Sequence, residues 1–272
     1  MLSGHANVSG HAAPPPWPPS AAAALLSGAP LFDGCRLRYL DMGTNLGRRI
    51  ETLYDTRRTH QRSFVTIFAN ESRHDVCTVG FEPNPSHHHR LQALAEKLRK
   101  QGARVHVLQA AVAATNGEAT FWSDRAFDKG EWGASLLHWF DGMLPRYSST
   151  VPTVSLSWFL RRHVIDASPH GGAGAARLVA KMDIEAAEYE ALPAAAEELC
   201  VAVDALELEQ HYMLLSRMAA TKQSLRPGGR PLDLFTARRM RSQLDLALRR
   251  LRERRGRGEC KTNVRALSTA GT

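Results

Sequence analysis

Short, mostly apolar runs alternate with segments of helical spacing from residue 37 to residue 208. The apolar runs predict strands, because short apolar runs bounded by turn residues suit strands that are buried on both faces. The predicted strands cover residues 37–40, 75–81, 105–108, 118–122, 151–155, 178–184 and 202–208. The segments between them predict helices over residues 46–54, 84–98, 158–162 and 185–199.

The order of these elements predicts the fold class. Strand and helix in alternation indicate an α/β fold with a Rossmann-like, doubly wound and mostly parallel sheet and helices on both faces. Right-handed crossovers then place the carboxyl ends of the strands, and with them the site, along one edge of the sheet. We expect the folded domain to span residues 35–215.

Both ends of the chain differ from this domain in composition. Residues 1–34 consist mainly of Ala, Pro, Gly, Ser and His and predict a disordered lead-in. Residues 216–272 predict a C-terminal extension with a basic amphipathic helix, in which Leu244, Leu248 and Leu251 form a narrow apolar stripe among arginines. This helix could dock on the domain, lie on an anionic membrane or contact nucleic acid.

The charge of the chain is concentrated in that basic helix. The net charge is +8, and residues 238–261 hold nine Arg and one Lys against three acidic residues. The remainder of the chain is therefore nearly neutral, unlike a dedicated nucleic-acid-binding domain with a basic stripe. A hydrophobic content of 43% excludes a wholly disordered chain.

No segment of the sequence predicts a membrane span or a leader peptide. The longest strictly apolar run covers residues 21–26, far short of the roughly 20 residues that cross a bilayer. The first 35 residues hold no Lys or Arg, which leader peptides require, although a truncated start would hide one. The cysteines, Cys35, Cys77, Cys200 and Cys260, form no CxxC pair, so neither a zinc site nor a disulfide framework is expected. These features predict a soluble, cytoplasmic protein in a reducing compartment, with no bound metal.

The turn after the first predicted strand is the first candidate for ligand binding. Gly43 allows backbone angles that other residues avoid and lets a ligand approach the chain closely. Gly47 allows close packing of the following helix on the sheet. Asp41 ends the strand, where its carboxylate can accept hydrogen bonds from a ligand amine. The alternative is an ordinary turn whose glycines serve geometry alone.

Glu82 ends the next predicted strand, where a carboxylate can accept both hydroxyls of a ribose. It lies 41 residues beyond Asp41, whereas a nicotinamide-binding fingerprint places its acid about 20 residues beyond the glycines. Asp41 would also repel a pyrophosphate. The two acids suit S-adenosylmethionine instead, because its ammonium and sulfonium groups are positive. The spacing and the position of Asp41 therefore disfavour a nicotinamide oxidoreductase.

Three residues are candidates for catalysis. Alternation along an extended segment puts Asp183 and Glu185 on the same side of the chain, near the end of a strand. His211 follows the last predicted strand. Each of them could align an acceptor hydroxyl or remove its proton. Glu188 and Glu190 are predicted to be solvated residues at the start of a helix, where the helix dipole stabilises acidic side chains.

Six strings in this order resemble the FkbM-type methyltransferases, a branch of the class I, S-adenosylmethionine-dependent fold. The strings cover residues 41–47, 81–85, 111–121, 133–136, 151–156 and 181–188. The resemblance implies O-methylation of a hydroxyl on a sugar or small metabolite, with S-adenosylmethionine as cofactor. It implies cofactor contacts at Asp41, Gly43, Asn45, Gly47, Glu82, Asn84 and Ala111.

Two positions depart from the family pattern. The family usually has Gly where this chain has Ala186, and Asp where it has Ser157. A methyl group at residue 186 would crowd a close backbone approach, and the loss of an acid at residue 157 removes a cap or a substrate contact. These departures motivate an alternative function, a non-catalytic binding protein that keeps the fold while its basic tail engages RNA or an anionic membrane.

Two further strings are interpreted as ordinary surface features. Consecutive histidines on a helix point about 100° apart, so residues 87–89 predict an exposed helix start rather than a metal site. The glycine-rich string at residues 171–174 precedes a strand instead of following one, so it predicts a surface loop rather than a phosphate-binding loop.

Overall fold

A computed structural model describes residues 28–55, 68, 71–123, 134–137, 147–167, 176–220, 225–227 and 229–266 of the chain. The strands in this part of the chain are β1 (Leu37–Met42), β2 (Val76–Phe81), β3 (Arg104–Leu108), β4 (Ala111–Ala113), β5 (Gly117–Ser123), β6 (Tyr147–Ser155), β7 (Arg177–Met182), β8 (Ala205–Leu208), β9 (Leu225–Arg226), β10 (Arg230–Pro231) and β11 (Asn263–Ala266). The α-helices are α1 (Arg48–Tyr54), α2 (His88–Lys100), α3 (Leu156–Leu160), α4 (Glu188–Ala194), α5 (Ala196–Ala202), α6 (Tyr212–Ala220) and α7 (Leu234–Gly256).

Six of these strands form the main sheet, in the order β11-β8-β7-β1-β2-β3. Every neighbouring pair in this sheet is parallel. The predicted α/β, Rossmann-like class is therefore confirmed. The crossover from β2 to β3 runs through α2, as the spacing of Leu91, Leu94 and Leu98 predicts. A short 3₁₀ turn, Pro85–His87, precedes α2, and the side chain of Asn84 caps this turn by accepting from the amide of Ser86.

Alternate residues of β1 bury their side chains on opposite faces of the sheet. Leu37 and Tyr39 pack in a cluster with residues of α1 and α2, whereas Leu40 and Met42 pack in a second cluster with residues of α3 to α7. A strand with apolar neighbours on both faces lies at the centre of a doubly wound sheet. The carboxyl end of β1 therefore opens onto the edge where its neighbours β2 and β7 also end.

The predicted strands at 118–122 and 151–155 lie in a separate, three-stranded sheet of order β4-β6-β5. In this sheet β6 pairs antiparallel with β5 and parallel with β4. Strand β4 of this small sheet directly follows β3, so the small sheet adjoins the edge of the main sheet where β1, β2 and β7 end. A bridge between Trp122 and Ser135 holds the segment 134–137 against β5.

The structure describes the last residues of the predicted lead-in, and they are packed. Phe32 is fully buried, the amide of Leu31 donates to Nδ1 of His163 over 3.3 Å, and Arg162 donates to the carbonyl of Gly28. Residues 28–34 therefore belong to the folded body, while residues 1–27 lie outside the described part of the chain.

Cys35 and Cys77 form a disulfide. The prediction that the cysteines form no disulfide is wrong for this pair, because it considered only spacing along the chain. The two residues are separated by 42 positions in sequence. Parallel pairing of β1 with β2 places Arg38 opposite Cys77, which brings Cys35 within reach. Cysteine spacing therefore gives no support for a reducing compartment. Cys200 and Cys260 are free and buried.

The basic helix α7 docks on the folded body through its apolar stripe. Leu244, Leu248 and Leu251 are all buried, together with Met240. After α7 the chain forms β11, which extends the main sheet beyond β8. The C-terminal segment is thus part of the sheet and its covering layer. In the described residues, no helix combines the length and the apolar character that a bilayer span requires.

Candidate active site

Two glycines shape the turn between β1 and α1. Gly43 has a φ of +83°, and a Cβ at this position would lie 1.8 Å from the carbonyl oxygen of Asp183. Only glycine therefore lets this turn approach the residue that follows β7. Gly47 has a φ of +80°, and a Cβ there would lie 2.6 Å from a side-chain carbon of Leu94 on α2. Gly47 packs against a helix rather than the sheet.

Glu82 follows β2 and accepts hydrogen bonds from two backbone amides. The amide of Asn45 donates to Oε2 over 2.6 Å, and the amide of Asn84 donates to Oε1 over 2.8 Å. Each carboxylate oxygen keeps a second lone pair for a ligand hydroxyl. Burial raises the pKa of Glu82 to about 7, although the two amides oppose this rise. Nδ1 of His87 lies 3.7 Å from Oε1 of Glu82.

An open cleft lies at the ends of these strands and contains about 610 Å³ of space, counting the part open to solvent. The predicted cofactor residues that line it are Gly43, Asn45, Glu82, Asn84 and Ala111. The predicted catalytic residues Asp183 and Glu185 line the same cleft. The sequence thus correctly places these seven residues together.

Asp41 and Gly47 are not among the residues that line the cleft. Asp41 is fully buried, and its Oδ1 lies 3.5 Å from Nζ of Lys181. Burial raises the pKa of Asp41, and the charge of Lys181 opposes this rise. Lys181 also donates to the carbonyl of Gly43 and lies 3.2 Å from Oδ2 of Asp183. The structure therefore does not bring Asp41 and Gly47 to the lining of the cleft, and Lys181 connects Asp41 to Asp183, which does line it. Direct ligand contacts of Asp41 and Gly47 stay a prediction.

His211 lies next to both predicted catalytic carboxylates, although it does not itself line the cleft. Its Nε2 is 3.4 Å from Oδ1 of Asp183, 3.6 Å from Oε2 of Glu185 and 3.8 Å from Oε1 of Glu209. Asp183 follows β7, and the residues 209–211 follow β8, so two neighbouring parallel strands bring these groups to one place. The backbone amide of Glu209 donates to the carbonyl of Met182, which ties the two strand ends together.

Glu188 holds the other side of the His211 ring. Its Oε1 accepts from the amide of His211 over 2.8 Å and lies 3.2 Å from Nδ1. Burial disfavours the charged imidazole, but Glu188 and the carboxylates of Glu185 and Asp183 together raise the pKa of His211 to about 9. Glu188 is fully buried, so the prediction of a solvated helix-start residue is wrong for it. Glu190 pairs with Arg226 instead.

The backbone between Asp183 and α4 is strained at two residues. Glu185 has a φ of +49° and Ala186 a φ of +73°, in the left-handed region that favours glycine. The carbonyl of Glu185 accepts a hydrogen bond from the hydroxyl of Ser135 over 2.6 Å. This unusual backbone turns the chain sharply after Asp183, so that Glu185 faces the cleft and Glu188 faces His211.

The sequence profile of the methyltransferase FkbM domain matches residues 41–223 of this chain. The chain belongs to the FkbM methyltransferase family. The matched segment contains all ten of the predicted site residues, from Asp41 to His211.

One solved structure is also similar to this chain, the methyltransferase FkbM from Methylobacillus flagellatus KT. The two share 12% sequence identity with a TM-score of 0.33, over 61% of this chain and 30% of that chain. This chain therefore spans less than a third of that protein. No curated protein sequence matches the chain.

The two departures from the FkbM pattern have different structural consequences. Ala186 is fully buried and takes a left-handed backbone, with a φ of +73°, which a glycine would adopt without strain. Its methyl group is accommodated at the cost of backbone strain. Ser157 lies in the first turn of α3 and faces a groove with Arg161 and Glu198, away from the cleft residues. The change at residue 157 therefore leaves the cleft itself intact.

Other cleft residues of this FkbM family member were not predicted. These residues include the buried His87, the apolar Phe81 and Phe121, and Ser135. His87 lies four residues before Leu91, on the helix face that is buried, so helical spacing was a usable signal. The prediction of an exposed histidine run holds for His89 alone. The glycine-rich string at 171–174 lies outside the described residues.

Proposed function

We propose that this protein is an S-adenosylmethionine-dependent O-methyltransferase that acts on a hydroxyl of a sugar or small metabolite. Membership in the FkbM methyltransferase family supports the transfer of a methyl group. The observation that supports the cofactor is Glu82, whose two carboxylate oxygens are fixed by the amides of Asn45 and Asn84 at the edge of the cleft.

Glu82 is suited to the ribose of the cofactor. A carboxylate fixed by two amides is preorganised to accept a pair of adjacent hydroxyls. The apolar residues Phe81, Ala111, Val112 and Phe121 line the same cleft and suit an adenine ring. The carboxylate of Asp183 suits the positive end of the ligand. When bound, S-adenosylmethionine supplies a methyl group that its sulfonium sulfur has already activated for displacement.

The chemistry that remains for the protein is alignment and removal of a proton. In such a transfer the acceptor oxygen would form a bond to the methyl carbon as the carbon–sulfur bond breaks, and the electron pair of that bond would stay on sulfur. The hydroxyl proton must leave the acceptor oxygen, and we assign it to the carboxylate of Glu185. Asp183, whose second oxygen contacts Lys181, orients the acceptor. His211 positions both carboxylates from behind the cleft.

A direct experiment measures cofactor binding and methyl transfer separately. Isothermal titration calorimetry with S-adenosylmethionine should give saturable binding to the wild type and to Glu185→Gln. Transfer of labelled methyl groups to a panel of sugars and hydroxylated metabolites should be about 10²–10⁴-fold slower in Glu185→Gln. The exposed Glu96→Gln is a matched control that should keep both properties. Absence of cofactor binding to the wild type would overturn the proposed function.

A second candidate function is a binding protein that keeps the methyltransferase fold without catalysis. Two observations favour it: the strained Ala186, and the arginines that α7 leaves exposed once its apolar stripe is buried. Deletion of α7 is an unsuitable test, because it would remove Leu244 and Leu248 from the core. Replacement of the exposed Arg249 and Arg252 by Gln tests the idea without touching the core.

This second function makes its own prediction. RNA or anionic vesicles should bind the wild type and bind the double Arg variant several-fold more weakly, with a strong dependence on salt. Cofactor binding without transfer to any acceptor would also favour it. Equal binding of RNA and vesicles by both proteins would remove it from consideration.

A further inference from the structure

We infer that Asp183, Glu209 and His211 form a binding site for one divalent metal ion beside the cleft. Each of the three offers one ligand atom, and these atoms all lie within 4.8 Å of one another. The role of the site, though not its existence, rests on the proposed function: the ion would hold the acceptor hydroxyl next to Glu185.

The distances between the ligand atoms suit a metal ion. Nε2 of His211 lies 3.4 Å from Oδ1 of Asp183 and 3.8 Å from Oε1 of Glu209. An ion with bonds of about 2.0–2.2 Å separates adjacent ligand atoms by about 3.0–3.6 Å, so small side-chain rotations complete the geometry. The ligands sit on rigid supports, because Asp183 and Glu209 directly follow the paired strands β7 and β8.

Glu188 is the independent observation that points to a cation. Its side chain is fully buried and directed at His211, and its Oε2 has no hydrogen-bond partner among the described residues. A buried carboxylate with an unpaired oxygen is costly unless positive charge lies nearby. Glu188 also contacts Nδ1 of His211, which leaves Nε2 free to bind a metal. A carboxylate behind a histidine ligand is the usual outer partner of a metal site.

The charge balance around His211 favours a cation as well. Four carboxylates, those of Asp183, Glu185, Glu188 and Glu209, lie within 3.8 Å of the His211 ring nitrogens. Lys181 contacts one of them, but it is shared with the buried Asp41, and a further positive charge is the proton on His211, whose pKa is raised to about 9. A divalent ion at Nε2 would displace this proton and offset more of the negative charge, and its ligands are exposed enough to leave positions open for an acceptor oxygen.

The donor set indicates which kind of ion the site takes. Two carboxylate oxygens and one imidazole nitrogen suit a first-row divalent ion such as Mn²⁺ better than Ca²⁺, which prefers oxygen ligands alone. Bound in this position, the ion would act as a Lewis acid on the acceptor hydroxyl and help to orient it.

Mn²⁺ alone is the probe for the site, followed by electron paramagnetic resonance or calorimetry on the full-length, chelator-treated protein. We expect one Mn²⁺ per chain and at least tenfold weaker binding in His211→Ala, in Glu209→Gln and in Glu188→Gln. We expect Glu209→Gln to fold as the wild type does, because Glu209 is partly exposed, so weaker binding by this variant would report on the site and not on misfolding. His89→Ala and Glu96→Gln should bind Mn²⁺ as the wild type does, since both residues are exposed and distant in sequence from the site.

The possible outcomes separate this inference from the proposed function. Lack of saturable Mn²⁺ binding, or equal binding by the wild type and Glu209→Gln, overturns the metal site. S-adenosylmethionine binding, measured without metal, reports on the proposed function independently. If methyl transfer in the presence of a chelator equals transfer with Mn²⁺, the role of the ion in catalysis is overturned.

Discussion

The backbone amide of Asn45 donates to Oε2 of Glu82 over 2.6 Å, joining the turn after β1 to the residue that follows β2. Asn45 can do so because it takes a left-handed backbone, with a φ of +51°, in the same turn as Gly43. The carboxylate of Glu82 is thereby held at the point where two neighbouring strands end. The backbone conformation of the turn after β1 therefore fixes the position of the Glu82 carboxylate, which faces the cleft.

We expect the affinity for S-adenosylmethionine to depend on pH through Glu82. Burial raises the pKa of Glu82 to about 7, against the opposing effects of the Asn84 and Asn45 amides and the charge of Lys181. Ribose hydroxyls donate to the ionised carboxylate, so protonation of Glu82 weakens the interaction. The dissociation constant should therefore rise about tenfold for each pH unit below pH 7 and level off above it. Calorimetry over this range measures the effect.

The variant Glu82→Gln is the control for this pH dependence. It keeps the shape of the side chain but cannot ionise, so its affinity should be weaker than that of the wild type and independent of pH. His87, the nearest histidine, does not confuse the measurement, because burial lowers its pKa to about 4. A Glu82→Gln protein that keeps the wild-type slope would assign the titration to another group.

Gly43→Ala should abolish cofactor binding and destabilise the protein. An added Cβ would lie 1.8 Å from the carbonyl oxygen of Asp183, so the turn after β1 and the segment after β7 must separate. Gly102→Ala is the matched control, because Gly102 has a similar φ of +88° and open space around it. The control should lose about 1 kcal/mol from the backbone angle alone, and Gly43→Ala about 1–3 kcal/mol more. Urea unfolding compares the two, and equal losses would contradict the close approach.

Local motifs explain why the part of the cleft formed by the turns after β1 and β2 was predictable from sequence. Asn45 and Asn84 lie in the same strand-end turns as Gly43 and Glu82, so the residue pattern already carries their proximity. The acidic pocket around His211 was less predictable. The contact between Glu188 and His211 joins residues that are 23 positions apart in sequence, and it depends on the sharp turn at Ala186. A glycine at residue 186 would have indicated the left-handed backbone of this turn, whereas an alanine does not.

Long-range packing accounts for the other differences. The Cys35–Cys77 disulfide depends on the pairing of β1 with β2, because Cys35 lies just before β1 and Cys77 lies in β2; spacing along the chain does not contain this pairing. Asp41 has the sequence context of a ligand-binding acid, yet Lys181 on the neighbouring strand β7 lies opposite it and pairs with it. Strand order therefore decides which acid faces the cleft, and strand order is a property of the whole sheet.

Ala186→Gly should leave the free energy of unfolding nearly unchanged, whereas most buried Ala→Gly changes are destabilising. Removal of the methyl group relieves about 1–2 kcal/mol of strain at a φ of +73°. It also loses about 0.8 kcal/mol of burial and raises the entropy of the unfolded chain by a similar amount. Ala191→Gly, equally buried but inside helix α4, has no strain to relieve and should lose about 2 kcal/mol. Urea unfolding of both variants checks the difference, and equal losses would contradict strain at residue 186.

The buried His163 should make the protein less stable in mild acid. His163 is fully buried, and its Nδ1 accepts from the amide of Leu31, which requires a neutral ring. Burial, reinforced by the charge of Arg162, lowers the pKa of His163 from 6.5 to about 4. The unfolded chain therefore binds a proton that the folded protein excludes, so the stabilisation is complete above pH 6.5 and is lost as the pH falls toward 4. The share of His163 in this loss should approach about 3 kcal/mol. His87 has a similarly lowered pKa and adds to the loss, whereas Glu82, whose pKa is raised, opposes it, so the test compares variants by urea unfolding across this range. Between pH 6.5 and pH 4, His163→Gln should lose about 3 kcal/mol less than the wild type, and His89→Gln, at an exposed position, should follow the wild type; an unchanged loss in the His163 variant would assign the acid sensitivity to another group.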